Sequence, residues 1–270
     1  MVDKDGSKNL VKRSKVIKHK VFIIAVSIIA PILLVSIWYV ASASGAINKA
    51  VLPSPGKIAG TFLKYMENGK LGENLLVSGI RVMKGFLIGA FAGIILGSFM
   101  GLSKTIYRFL NSLVGIFRPV PMIAWIPLLI LWLGIGEESK VSVIVIGSFW
   151  PVLLNTIHGI HSVDVKMIEV ASILEKSNYQ ILRKIILPAA LPSIFTGIRI
   201  GMGSAWTCVV AAEMIAASKG IGYMITYARE LSQSDVVLVG VFSIGVVGLS
   251  IDVGIQKLKT HLLKWNNAEK

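Results

Sequence analysis

Cysteine, acidic side chains and catalytic constellations are what this sequence has least of. Cys208 is the sole cysteine and lies within an apolar run, which excludes a disulfide within the chain and suggests no thiolate metal site. Only 14 acidic residues stand against 28 lysines and arginines, and charged residues make up 16% of the 270 positions. There is no phosphate-cradling GxxxxGKS/T, no HExxH, no CxxC and no GxSxG, so the chain cannot hold ATP by a P-loop. His19, His158 and His161 do not stand at i, i+4 as a helical metal pair would, and no metal site is expected. These absences disfavour an enzyme and leave transport as the leading class.

What is abundant is apolar length. Hydrophobic residues make up 54% of the chain and the mean hydropathy is +0.74, too apolar for an ordinary soluble domain. The chain reads as an all-α membrane protein. A net charge of +14 could suggest nucleic acid, but the cations gather at the termini and between apolar runs, with few aromatics beside them. Positive loops facing the cytoplasm explain that distribution, and no nucleic-acid partner is expected.

Residues 1–20 carry Lys4, Lys8, Lys12, Arg13, Lys15, Lys18 and Lys20 against Asp3 and Asp5, a basic segment that places the N-terminus inside. The run 21–43 is long enough to span, since a bilayer core takes ~20 apolar residues. Ala41-Ser42-Ala43 imitates a signal cleavage site, yet the apolar region exceeds the roughly 7–15 residues of such a signal. It reads as an uncleaved first span. VLPSPG at 51–56 is turn-rich, and 57–74 fits a short amphipathic helix at the far surface.

The second span, 76–102, places Gly85, Gly89, Gly93, Gly97 and Gly101 at strict spacing of four, one helical face on which a neighbouring backbone can approach closely. The third, 109–133, is interrupted by Pro119, Pro121 and Pro127, with Arg118 beside the first. Proline removes a backbone donor, so this span is either a broken helix near a pathway or a helix with a packing kink. The fourth runs 141–160, where Asn155 and His158 read as caps or interhelical hydrogen bonders. The fifth, 193–217, carries Glu213 toward its far end, where an acidic group is costly unless hydrated or paired; a functional group or a buried partner to an arginine are the two readings. The segment 218–234 contains a short helical piece, and the sixth span is 235–256. Six spans with both termini cytoplasmic is self-consistent.

Between the fourth and fifth spans lies a charged interval, 164–192, long enough to be an interface. Val165, Ile168, Ala171 or Ser172, and Leu174 or Glu175 follow a 3-to-4 spacing, giving a short helix with a narrow apolar stripe. It could dock in a groove or lie on lipid. The pattern of Glu169, Ala171, position 175, Ile185, Leu187 and Pro188 resembles the EAA loop of ABC importer permeases, whose usual form is EAA-x3-G-x9-I-x-LP. Val170 replaces the first alanine and Glu175 replaces the glycine. Because glutamate does not enter a left-handed conformation cheaply, the turn is expected at Lys176-Ser177-Asn178, with Asn178 the best candidate, or the helix continues one turn further.

Further segments resemble the permease branch for aliphatic sulfonates, taurine and nitrate: LPSPGK at 52–57, RPVPMIAWIPLLILWLGIGEESK at 118–140, AAEMIAASKGIGYMI at 211–225, SDVVLVG at 234–240, and Lys264-Trp265-Asn266. The resemblance implies a single transmembrane permease domain over 21–264, between a basic cytoplasmic segment (1–20) and a tail (265–270). It implies an importer in the bacterial inner membrane, working with a second copy of itself, an ABC ATPase dimer that binds ATP and magnesium, and an extracellular or periplasmic binding protein. Glu169, Ala171, Glu175, Ile185, Leu187 and Pro188 would couple to the ATPase, Glu169 by pairing with a basic group there. Small oxyanions, sulfonates first, are the implied substrates, with taurine or nitrate as alternatives. Arg118, Trp206, Glu213 and Met214 are the pathway candidates, and Arg81, Lys84 and Arg199 could add cationic character or be paired. The rival class is an ion-gradient transporter or channel, which would need buried acidic or histidine relays and no ATPase.

Overall fold

The computed structural model describes residues 26, 29–44, 48 and 51–263. The basic segment 1–20 and the tail 265–270 therefore lie outside the described residues. Every regular element among those described is helical: α1 (Ile29–Ala43), α2 (Pro55–Glu67), α3 (Lys70–Leu102), α4 (Lys104–Phe117), α5 (Met122–Leu133), α6 (Glu137–His161), α7 (Val165–Ile173), α8 (Asn178–Ile181), α9 (Leu187–Ala216), α10 (Ile221–Glu230) and α11 (Ser234–Leu262). Helices α3, α6 and α11, and the continuous rod 178–216 that joins α8 to α9, are long and apolar enough to cross a membrane. The bent pair α4 and α5 makes a fifth candidate. Of the expected first span, residues 21–25 and 27–28 lie outside the described residues and α1 is its described part.

The helix starts are written locally. Ser54 accepts from the Lys57 amide at the head of α2, with Pro55 in the first turn where its missing N–H costs nothing, and Ser103 accepts from the Ile106 amide at the head of α4. The surface helix is shorter than the 57–74 expected: Gly69, at φ 72°, breaks the chain, and Lys70–Asn74 already belongs to α3.

Helix α6 is the middle of the molecule, packed between α3 and α9. The glycine face of α3 lies on it: a Cβ at Gly97 would stand 2.8 Å from Thr156 Cβ and 2.9 Å from Leu153 O, leaving no room for a side chain. On the other flank, a Cβ at Gly197 of α9 would stand 2.7 Å from Asn155 Cβ. Such close backbone approach is how helices associate where lipid offers no hydrophobic drive. The buried core that results includes Val82, Phe86, Ile126, Ile144, Val152 and Val209. Helix α11 is tied to α9 by paired hydrogen bonds from Arg199 Nε and Nη2 to Asp252 (2.5 and 2.6 Å) and from Lys259 Nζ to Thr196 Oγ1 (3.0 Å), and its Val236 and Val239 pack with Ile58, Ile221 and Met224.

Of the two readings of the third span, the broken helix is found. Helices α4 and α5 meet at 94°, separated by Arg118, Pro119, Val120 and Pro121. Pro127 sits inside α5 without ending it. Among the described residues Asn155 does not bridge helices; its Nδ2 donates to Pro151 O of its own helix at 2.8 Å.

Candidate functional site

The interval after α6 folds into an elbow. Asp164 caps α7 by accepting from the Lys166 amide at 2.9 Å. At the other end the Lys176 amide donates to Ala171 O (3.1 Å) and the Glu175 amide to Ser172 O (3.0 Å). These two crossed bonds form a Schellman motif, which needs a left-handed residue just past the helix, and Glu175 supplies it at φ 52°. This corrects both sequence expectations: the helix does not continue, and the turn is not moved to Asn178. Asn178 is instead the first residue of α8, whose N-cap is Ser177 in a capping box with Gln180. The position to which the EAA pattern assigns glycine is left-handed here with glutamate in place.

Helix α8 then runs through a wide π turn, Leu182–Ile186, into α9. The Leu187 amide reaches back to Leu182 O, so the widened turn sits directly ahead of Pro188, whose ring an unwidened helix would press against a carbonyl. Between the two arms lies a cavity of about 500 Å³ with an apolar floor that includes Met167, Val170, Ala171, Leu174 and Ile181. Lys166, Lys176 and Lys184 stand around it. Of the six expected coupling residues, Ala171 and Ile185 line this cavity. Glu169 and Glu175 are exposed outside it, and Leu187 and Pro188 lie along the return into α9. Ile173, 80% exposed, and Tyr179, 66%, add apolar surface to the elbow that composition alone does not foretell.

Far along α9 from the elbow, a polar cluster ties four helices together. Glu213, 1% exposed, accepts from Ser78 Oγ (2.8 Å), Arg81 Nη1 (2.8 Å) and the Gly222 amide (3.0 Å). Arg81 also donates to Glu137 through Nε (2.7 Å) and Nη2 (2.6 Å), and to Lys219 O (2.7 Å). Ser78 Oγ in turn accepts from the Ile221 amide at 2.9 Å. Gly220, at φ 119°, lets the loop turn under the Glu213 carboxylate. Outside the spans, the Lys219 ammonium is held above its ordinary pKa by its hydrogen bond to Glu73. The reading of Glu213 as a buried partner of an arginine matches this geometry. Ser78, Glu137 and Gly222 were not legible, because their partners come from distant segments.

The remaining pathway candidates are separated. Arg118, at the α4–α5 break, lines a cavity of about 370 Å³ together with Trp150 and Asn155 of α6 and Ser204 of α9. Trp206 is buried and donates from Nε1 to Ile244 O at 3.1 Å. Met214 is 39% exposed near the end of α9. Arg81 and Arg199 are ion-paired, to Glu137 and Glu213 and to Asp252, while Lys84 is exposed.

Comparison with known proteins follows the same lines. The chain is 41% identical over 241 residues to a Bacillus subtilis (strain 168) permease provisionally named for aliphatic sulfonates transport, covering 89% of this chain and 87% of the relative. It is 35% identical over 238 residues to the taurine transport system permease protein of Escherichia coli (strain K12), covering 86% of each. A crystal structure of an amino acid ABC transporter superposes with a TM-score of 0.60 at 17% identity, over 76% of this chain and 96% of that one, a likeness of fold. Residues 89–262 match the family described as binding-protein-dependent transport system inner membrane component. The chain belongs to that family, as a multi-pass inner-membrane permease subunit of an ABC importer.

Proposed function

We propose that this permease imports small oxyanions, aliphatic sulfonates first, as a pair of identical chains driven by two ATPase subunits and fed by an external binding protein. Each chain would cross the membrane six times with both termini in the cytoplasm, the first crossing comprising α1 and the residues before it. The observation that carries the coupling part is the elbow of α7 and α8: an apolar cavity among lysines, on a short two-helix projection bearing Glu169, Ala171, Ile185, Leu187 and Pro188 at the spacing of the EAA loop. ATP-driven closure of the ATPase dimer would displace this elbow. Helix α8 continues without a break through the π turn into α9, so the displacement reaches the spans directly.

The sulfonate assignment is supported by the names of the relatives and by the resemblance of residues 118–140 and 211–225 to that branch; taurine and nitrate are the alternatives within it. In this reading Arg118 faces the pathway, Trp206 and Glu213 hold the α9 wall behind it, and Met214 lies toward its outer mouth. Glu169 and Glu175 meet the ATPase at the rim of the elbow.

The test is reconstitution of this chain with the ATPase and binding protein encoded beside it. Ethanesulfonate is expected to stimulate ATP hydrolysis through the binding protein and to accumulate in proteoliposomes. Accumulation that follows an ion gradient, without ATP hydrolysis, would overturn the proposal.

A further inference from the structure

The space between α1, α2 and α11 belongs neither to the coupling elbow nor to the polar cluster. It is a groove of about 400 Å³, walled by Trp38 of α1, by Ile58, Phe62 and Leu63 of α2, and by Val239 and Phe242 of α11. Thr61 Oγ1 donates to Asp235 Oδ2 at 2.7 Å, which pins α2 at the head of α11. Val239 and Phe242 lie five and eight residues into α11, about 8 and 12 Å from its start at ~1.5 Å per residue. The hydrocarbon of a bilayer begins about 5–8 Å below its surface, so the groove sits where acyl chains begin.

Its chemistry excludes a polar occupant. Among the described residues that line it, Trp38 alone carries a polar side-chain atom, and that indole N–H is already given to Pro53 O at 3.1 Å. The ring is held a second time, stacked on Phe242 with centroids 6.2 Å apart. A water in the groove would find none of the partners it needs, and an ion no counter-charge. Left empty, the walls forfeit dispersion contacts. The walls also continue into exposed apolar rows: Leu34, one turn before Trp38 on α1, and Val246 and Leu249, one and two turns after Phe242 on α11. Helix α11 is long and apolar enough to cross the membrane, so this row meets hydrocarbon and leads it to the groove.

The structure assigns this groove to one acyl chain of a membrane phospholipid, held among Trp38, Ile58, Phe62, Leu63, Val239 and Phe242. A chain there fills the joint between α1, α2 and α11. The inference rests on the membrane placement of the family and not on the substrate, so either can fail alone.

Tryptophan fluorescence tests this, because Trp38 is itself a wall and bromine on an acyl chain quenches an indole that it touches. The full chain is placed in nanodiscs in which phosphatidylglycerol, brominated near the carboxyl end of its chains, replaces the unbrominated lipid at rising mole fraction. The share of Trp38 in the signal is the difference between the wild type and Trp38→Phe. That share is expected to fall in direct proportion to the mole fraction, as for a single lipid position. Ala59→Phe, on the exposed wall of the groove, is expected to lower the quenching at least about twofold, because the added ring takes the space of the chain. Ala59→Leu, a smaller filler, serves where the phenylalanine variant does not fold. No quenching of Trp38 means that protein, from this chain or a second copy, covers the groove, and overturns the inference. A steep, curved fall, as from a ring of several exchanging lipids, overturns it too. So does quenching untouched by the Ala59 fillers, since lipid would then reach Trp38 from outside the groove.

Discussion

Replacing Glu175 with glycine tests the elbow at its most unusual residue. A left-handed backbone costs a non-glycine residue about 1–2 kcal/mol, and Glu175 holds φ 52° because the Schellman bonds from its own amide and that of Lys176 require it. Its carboxylate also stands at the C-terminal, negative end of α7, a further small penalty. Against this, glycine makes the unfolded segment more disordered by about 0.5–1 kcal/mol. The balance favours Glu175→Gly by about 0.5–1 kcal/mol, which lowers local opening of the elbow about twofold to fivefold. Hydrogen exchange read by mass spectrometry on peptides covering 172–180, corrected for intrinsic rates, is the assay. Exchange at residues 175 and 176 is expected to slow by that factor in Glu175→Gly and to quicken in Glu175→Val, since a branched residue tolerates the conformation worse. If glycine leaves exchange unchanged or speeds it, the turn is not strained at Glu175 and the reasoning fails.

Three further substitutions probe other levels of the structure. Gly97→Ala should separate α3 from α6 and cost about 1–3 kcal/mol by overpacking, seen as a lower unfolding temperature in detergent, while Gly79→Ala on the same helix, where a Cβ meets nothing within 4 Å, should not. Removing Glu213 with Glu213→Ala should cost about 3–5 kcal/mol, because Arg81 and Ser78 lose a buried acceptor; a stable, fully assembled variant would contradict the cluster's structural role. Glu169→Lys leaves the fold untouched, since Glu169 is exposed and makes no ion pair among the described residues, and should abolish assembly with the ATPase; undiminished assembly and hydrolysis would count against its proposed pairing.

What the sequence makes legible is whatever repeats at helical spacing. The five glycines of α3 name the packing face, and the structure presses that face on α6. The proline cluster names a break without its angle, because the angle depends on what α5 packs against. The elbow's helix is visible in a 3-to-4 pattern, but its turn is not: local propensity argues against Glu175 in a left-handed conformation, and the flanking hydrogen bonds override it. Glu213 stands out as a lone acid in an apolar run, whereas Ser78 and Glu137 have no such contrast, lying 135 residues away and in a polar turn. A buried network closes only in three dimensions, so its members are seen one at a time.

The distribution of tight and loose packing constrains how such a permease can change shape. Helices α3, α6 and α9 meet backbone to backbone through glycines and are further tied by Ser78, Arg81 and Glu213 beyond the glycine contacts. Close-packed interfaces of this kind do not deform gradually. A displacement of the elbow would therefore move these three helices as one body, with bending confined to the π turn of Leu182–Ile186, where the hydrogen-bond ladder is already widened. The remaining joints are the 94° break between α4 and α5, whose α5 half packs Ile126 and Leu129 into the same core, and the face of α11, held by Trp206 to Ile244, Arg199 to Asp252 and Lys259 to Thr196. Arg118 sits at the first of these joints, so the cavity it lines would change shape whenever the α4–α5 pair moves against the body.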